Sequence, residues 1–236
     1  MKTTLTIAFV LWLAVPMANA GTITGVVRAE GKTGADKDAE CGKYDSREFK
    51  FAERVDYAAM HDFVVYIDQP VGTNQPATPE KPVQVVTAKK EVSQKGATFN
   101  PHVLPVVVGT TVEWPNRDDI FHNVFSISEP NSFDLGLYKD PEVKLWKFNS
   151  VGRVDVFCSI HSSMNCIVLV LPNPYFAATN KKGGYAITNV PAGTYKVKAW
   201  HERMPGEIKQ ITVPENGEVK VDFTLGIKNL PKTDSK

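Results

Sequence analysis

The stretch "VFCSIHSSMNCIVLVL", residues 156–171, sets Cys158, His161 and Met164 at three-residue steps between two apolar runs. Valine, isoleucine and phenylalanine on either side are strand formers. The intervening polar residues therefore read as a tight loop joining two strands. A thiol, an imidazole and a thioether on one such loop are soft donors of the kind that holds a transition metal. Each has an ordinary alternative as well: a buried thiol, a core histidine or a methionine filling a gap.

The surrounding chain reads as strand almost throughout. "GTITGVV", "DFVVYID", "LPVVVGTTVEW", "RVDVFC", "CIVLVLP", "YAITNV", "TYKVKAW" and "KVDFTL" are short, rich in Val, Ile, Thr and aromatics, and separated by Gly, Pro and Asn. The pattern predicts an all-β chain of sandwich type. The charged stretch at 35–61 is ambiguous between helix and irregular structure, and "DQPVGTNQPATPEKP" at 68–82 reads as a linker.

At the N-terminus, Lys2, the apolar run from Leu5 to Val15 and Ala18-Asn19-Ala20 have the form of a signal peptide over 1–20, cleaved before Gly21. The run is too short to span a bilayer. The expectation is an exported protein of the periplasm with no membrane span in its mature form. Without Lys2 the mature part carries no net charge, which argues against nucleic acid as a partner. Three cysteines, Cys41, Cys158 and Cys166, are too few for a disulfide framework and odd in number for such a compartment. Cys166 reads as a core thiol on the strand, with a disulfide to Cys41 as the alternative.

Upstream, "IFHNVFSIS" supplies His122. One thiolate, two neutral imidazoles and a weak axial thioether make up a blue copper site, and Cys158, His122, His161 and Met164 complete that set. Zinc accepts thiolate and imidazole too, but thioether is a poor zinc ligand. Asp118 and Asp119 precede His122 closely, and acidic pairs in loops are usually solvated. His201, in "AWHERMP", reads as a strand-end residue engaged in surface packing or a loop hydrogen bond. His61 and His102 lack metal-type neighbours in sequence. No nucleophile elbow, phosphate loop or zincin motif is present, so hydrolase chemistry has no visible seat.

With "VVVGTTVEWPN", "HNV", "FCSIH" and the following Met in view, residues 83–172 resemble the cupredoxins, the plastocyanin and amicyanin family. The short gap between His161 and Met164 is of the amicyanin-like form. The resemblance implies a Greek-key β-sandwich holding one mononuclear type 1 copper through His122, Cys158, His161 and Met164. It implies that Asn123 fixes the loop bearing the cysteine, and that His161, reaching the surface within an apolar patch, is the electron's exit.

A second resemblance lies toward the C-terminus. "TNKKGGYAITNVPAGTYKVKAW" is similar to the carboxypeptidase regulatory-like domain, a small transthyretin-like sandwich. Such domains usually begin with strands like "GTITGVV" and "VVYI", which stand here at the other end of the mature chain. The organisation expected is a segment 21–82 pairing with the module at 173–236, and the cupredoxin-like segment 83–172 inserted between them. The function implied is a periplasmic electron carrier, not an enzyme, working between redox proteins such as a c-type cytochrome or a periplasmic dehydrogenase. Copper storage, delivery or a structural metal is the alternative.

Overall fold

The computed structural model describes residues 20–31, 56–71 and 90–226. The segment 1–19, Cys41 and most of the 68–82 stretch lie outside them. The described chain is all-β apart from one short 3-10 turn at Tyr57–Ala59. Among the described residues, no helix is long and apolar enough to cross a membrane.

The strands form two sandwiches. In the first, β5 (Val103–Val107), β7 (His122–Ser126), β8 (Phe133–Tyr138), β10 (Gly152–Phe157) and β11 (Asn165–Leu171) make a five-stranded sheet in the order β5-β11-β10-β7-β8. Its pairs are antiparallel except β5 with β11. Opposite lie β6 (Thr111–Pro115) paired with β9 (Val143–Lys147), and β3 (Ser93–Gln94) paired with β4 (Phe99–Asn100). Between the layers Trp114, Phe99, Phe148 and Tyr138 pack against Val124, Val154, Val156 and Val168. The positions facing that core alternate along β10, where Val154 and Val156 point in and Arg153 and Phe157 point out, as the period of two in a strand requires.

The second sandwich draws on both ends of the chain. β1 (Ala20–Glu30) pairs with β13 (Gly184–Pro191) and, in parallel, with β16 (Glu218–Lys220) and β17 (Phe223–Gly226). β2 (Val64–Ile67) lies between β12 (Phe176–Ala178) and β14 (Gly193–His201), and β15 (Met204–Val213) closes that sheet. Ile23, Val27, Val65, Ile67, Val197 and Phe223 fill the interior. Gly25 sits in mid-strand because the backbone of Val221 crosses there, and a Cβ would stand 1.9 Å from that carbonyl oxygen.

Two strands are buried on both faces, and this joins the sandwiches. On β11, Cys166, Val168 and Val170 face the first core, while Ile167, Leu169 and Leu171 face outward. On β2, Val65 and Ile67 face the second core, and Val64 and Tyr66 face outward. The outward sets meet, with Val103, in a third apolar cluster flanked by Phe176 and Trp200. The unbroken apolar runs "CIVLVL" and "VVYI" are the sequence trace of strands covered on both sides. At the rim, His102 Nε2 lies 3.0 Å from Glu202 Oε2, and Arg153 Nη1 donates to the Glu202 carbonyl at 3.2 Å.

Candidate metal centre

Three of the residues singled out in the sequence meet at one edge of the first sandwich. His122 opens β7 with its side chain fully buried, and Cys158 follows the last residue of β10. His161, half-buried, stands in the loop from Cys158 to Met164 that joins β10 to β11. That loop closes on itself: the Met164 amide donates to the His161 carbonyl at 3.0 Å, and the Cys158 amide donates to the Met164 carbonyl at 3.2 Å. Met164 is buried in the first core.

The donor atoms of His122, Cys158 and His161 all lie within 4.8 Å of one another. His122 Nδ1 is 3.1 Å from His161 Nδ1, and Cys158 Sγ is 3.7 Å from the latter nitrogen. Nitrogen at about 2.0 Å and sulfur at about 2.3 Å from a shared ion would, in a trigonal plane, stand about 3.5 Å (N to N) and 3.7 Å (N to S) apart. The sulfur-to-nitrogen separation matches that geometry, and the two imidazole nitrogens stand somewhat closer than it. Among the described residues this is the one group of three such side chains so placed.

Asn123 reaches the same loop from β7. Its Oδ1 accepts from the Ser159 amide at 2.6 Å, and its Nδ2 donates to Asp134 Oδ1 at 3.1 Å. One side chain thus links the strand bearing the first histidine to the residue after the cysteine.

Asp118 departs from the expectation of a solvated acid. It is 7% exposed, and its Oδ2 lies 2.9 Å from His122 Nε2. Its carboxylate also accepts from the amides of Gly96 at 2.8 Å and Ala97 at 3.0 Å, with Lys95 Nζ 3.5 Å away. Burial pushes its pKa up, but the Ala97 amide, His122, the Gly96 amide and Lys95 together outweigh this and hold it below the usual carboxylate range. Asp119 is exposed. Within "NRDDIFH" only His122 is a donor to Asp118, and the others that capture it, the Gly96 and Ala97 amides and Lys95, come from the turn between β3 and β4. Asn116 shapes the connection: its Oδ1 accepts from the Asp118 amide, and its Nδ2 donates to the carbonyls of Ile120 and Tyr138.

The remaining histidines stand apart from the centre. His201 is buried, not a surface residue, tilted against the Phe63 ring at 5.0 Å, and its Nδ1 accepts from the Arg203 amide. His102 pairs with Glu202 across the junction of the sandwiches, and exposed His61 pairs with Asp62 at 2.8 Å. Cys166 is a free thiol, 1% exposed, and burial drives its pKa well above the ordinary thiol value. Cys41, the alternative partner for a disulfide, lies outside the described residues.

No known family model matches the chain, and no curated protein does. Solved structures do. A purple cupredoxin from Nitrosopumilus maritimus is 25% identical, with a TM-score of 0.32, over 34% of this chain and 98% of that one. An oxidised amicyanin variant is 25% identical, with a TM-score of 0.33, over 37% of this chain and 87% of that one. A copper-containing nitrite reductase from Thermus scotoductus is 29% identical, with a TM-score of 0.35, over 44% of this chain and 26% of that one.

Proposed function

We propose that this protein is a single-electron carrier with one mononuclear type 1 copper, held by His122, Cys158 and His161 with Met164 as the axial thioether. The observation behind this is the convergence of two imidazole nitrogens and one thiol sulfur within 4.8 Å of one another. Copper in such a ligand set exchanges one electron between its cuprous and cupric states.

The residues supply what that exchange requires. His122, Cys158 and Met164 are buried, so water is kept from three of the four donors. Asn123, bridging to Ser159, holds the cysteine-bearing loop against β7, which limits rearrangement between oxidation states. Four protein donors leave no open position for a substrate, which favours a carrier over a catalyst. His161 is the least buried donor, and Ile120, Phe121 and Ile160, which adjoin the two histidines in sequence, are exposed. We read this apolar mouth as the place where redox proteins dock, a c-type cytochrome or a dehydrogenase among them, and the compartment as the periplasm. The second sandwich, which resembles a carboxypeptidase regulatory-like domain in sequence, packs through β2 on the outward face of β11.

The test is the visible spectrum of the purified protein after addition of Cu(II), repeated with Cys158→Ser. An intense copper–thiolate charge-transfer band that vanishes in the variant is the expected result. Copper bound without that band, or a band that survives the substitution, overturns the assignment of Cys158 and moves storage or a structural metal ahead.

A further inference from the structure

The capture of Asp118 has a chemical requirement that only one side chain meets. Four donors converge on it: the Gly96 amide at 2.8 Å, the Ala97 amide at 3.0 Å, His122 Nε2 at 2.9 Å and Lys95 Nζ at 3.5 Å. An ionised carboxylate is acceptor-only, whereas an asparagine in its place must turn an NH2 group toward some of these donors. In one orientation that group faces the Gly96 amide and Lys95, and in the other it faces the Ala97 amide and His122. With a carboxylate in place, the His122 proton belongs on Nε2. The lone pair of Nδ1 is then free on the side where His161 Nδ1 lies 3.1 Å away.

The turn that aims the two amides is a two-residue hairpin turn joining β3 to β4. Gly96 has φ 61° and Ala97 φ 50°, so consecutive residues lie in the left-handed region, the second without a glycine's freedom. Successive amides in such a turn form a concavity suited to an anion. Lys95 ties the turn to the same loop by donating to the Arg117 carbonyl at 2.7 Å.

We infer that the turn at residues 95–98 and Asp118 together are an outer support of the metal centre, which fixes the tautomer of His122 so that Nδ1 faces the metal. The consequence for copper rests on the function proposed above, but the support itself is measurable without any metal. The carboxylate also places a negative charge one imidazole away from the ion, which favours the higher oxidation state. Asp118 is thus a positioning residue with an electrostatic effect.

The experiment begins with long-range proton–nitrogen NMR on the metal-free protein, which reads the proton on each ring nitrogen. The wild-type His122 is expected to carry it on Nε2 alone, and a proton on Nδ1 overturns the inference whatever any variant does. In Asp118→Ala, which removes every acceptor facing His122 Nε2, the single tautomer is expected to be lost, copper affinity to fall about 10–100-fold and the reduction potential to rise. An Asp118→Ala protein with the wild-type tautomer overturns the inference while leaving the copper reading intact. A wild type with the expected tautomer but no thiolate band leaves the support standing and overturns the copper reading alone.

Discussion

The two sandwiches are made of the same kind of strand but bury different chemistry. Around β1, β2 and β12 to β17 the interior is apolar, and Asn173 and His201 are its buried polar residues. The other sandwich buries Gln94, Asn116, Asp118, His122 and Asn123 toward the edge where Cys158 lies. Buried polar groups are costly unless paired. Each of these five has a partner on a different strand or turn, so the site edge is held by directional bonds as well as by packing. The contrast teaches that one sandwich is shaped mainly by apolar burial, with Asn173 bonded to the backbone of Ile67 and Gln69, while the other spends part of its interior on a specific constellation.

The largest expected effect tests this division directly. Trp114→Ala in the first core and Phe223→Ala in the second should each cost about 3–5 kcal/mol, measured by denaturant unfolding of the metal-free protein. Only Trp114→Ala should also alter the copper spectrum, because its ring packs against Phe133 of β8, the strand that pairs with β7 and so positions His122. A spectrum equally disturbed by Phe223→Ala would erase the distinction between the sandwiches.

A smaller effect is expected for Asn123→Ala, which leaves the Ser159 amide without its acceptor and should cost about 1–3 kcal/mol. Thermal melting would measure the loss, and copper titration should find weaker binding. Unchanged binding would mean that the Cys158 loop is held by its own internal hydrogen bonds.

The smallest belongs to the second sandwich. Burial lowers the pKa of His201 below the ordinary 6.5, outweighing the opposing influence of Glu202, the His61 backbone and Asp62. The unfolded chain therefore takes up this proton first as pH falls. The contribution to stability is full above the unfolded value and is lost as pH drops through it toward the folded value. Denaturation midpoints measured from about pH 7 down to pH 5 should fall for the wild type and fall less steeply for His201→Gln.

Much of this architecture was legible in sequence because its causes are local. Runs of Val, Ile, Thr and aromatic residues marked β10 and β14, Gly, Pro and Asn separated the strands, and the spacing of Cys158, His161 and Met164 needed only a loop of one connection. β8 and β9 stand in the stretch 127–151, where Leu137, Val143 and Leu145 are exposed and the inward–outward contrast that announces a strand is weak. Asp118 was misread as solvated because, His122 apart, its donors arise more than twenty residues away. His102 likewise gains its carboxylate partner from Glu202, on the other sandwich.

The sequence by itself determined an all-β chain and the donor types available, since strand propensity, turn chemistry and ligand softness are properties of single residues and near neighbours. Only the tertiary structure decided that His122 meets Cys158 and His161, that Asp118 stands behind His122, and that β11 and β2 are covered on both faces. Those are pairings between distant segments. They depend on which surfaces remain to be buried and which polar groups remain to be satisfied once the strands have assembled.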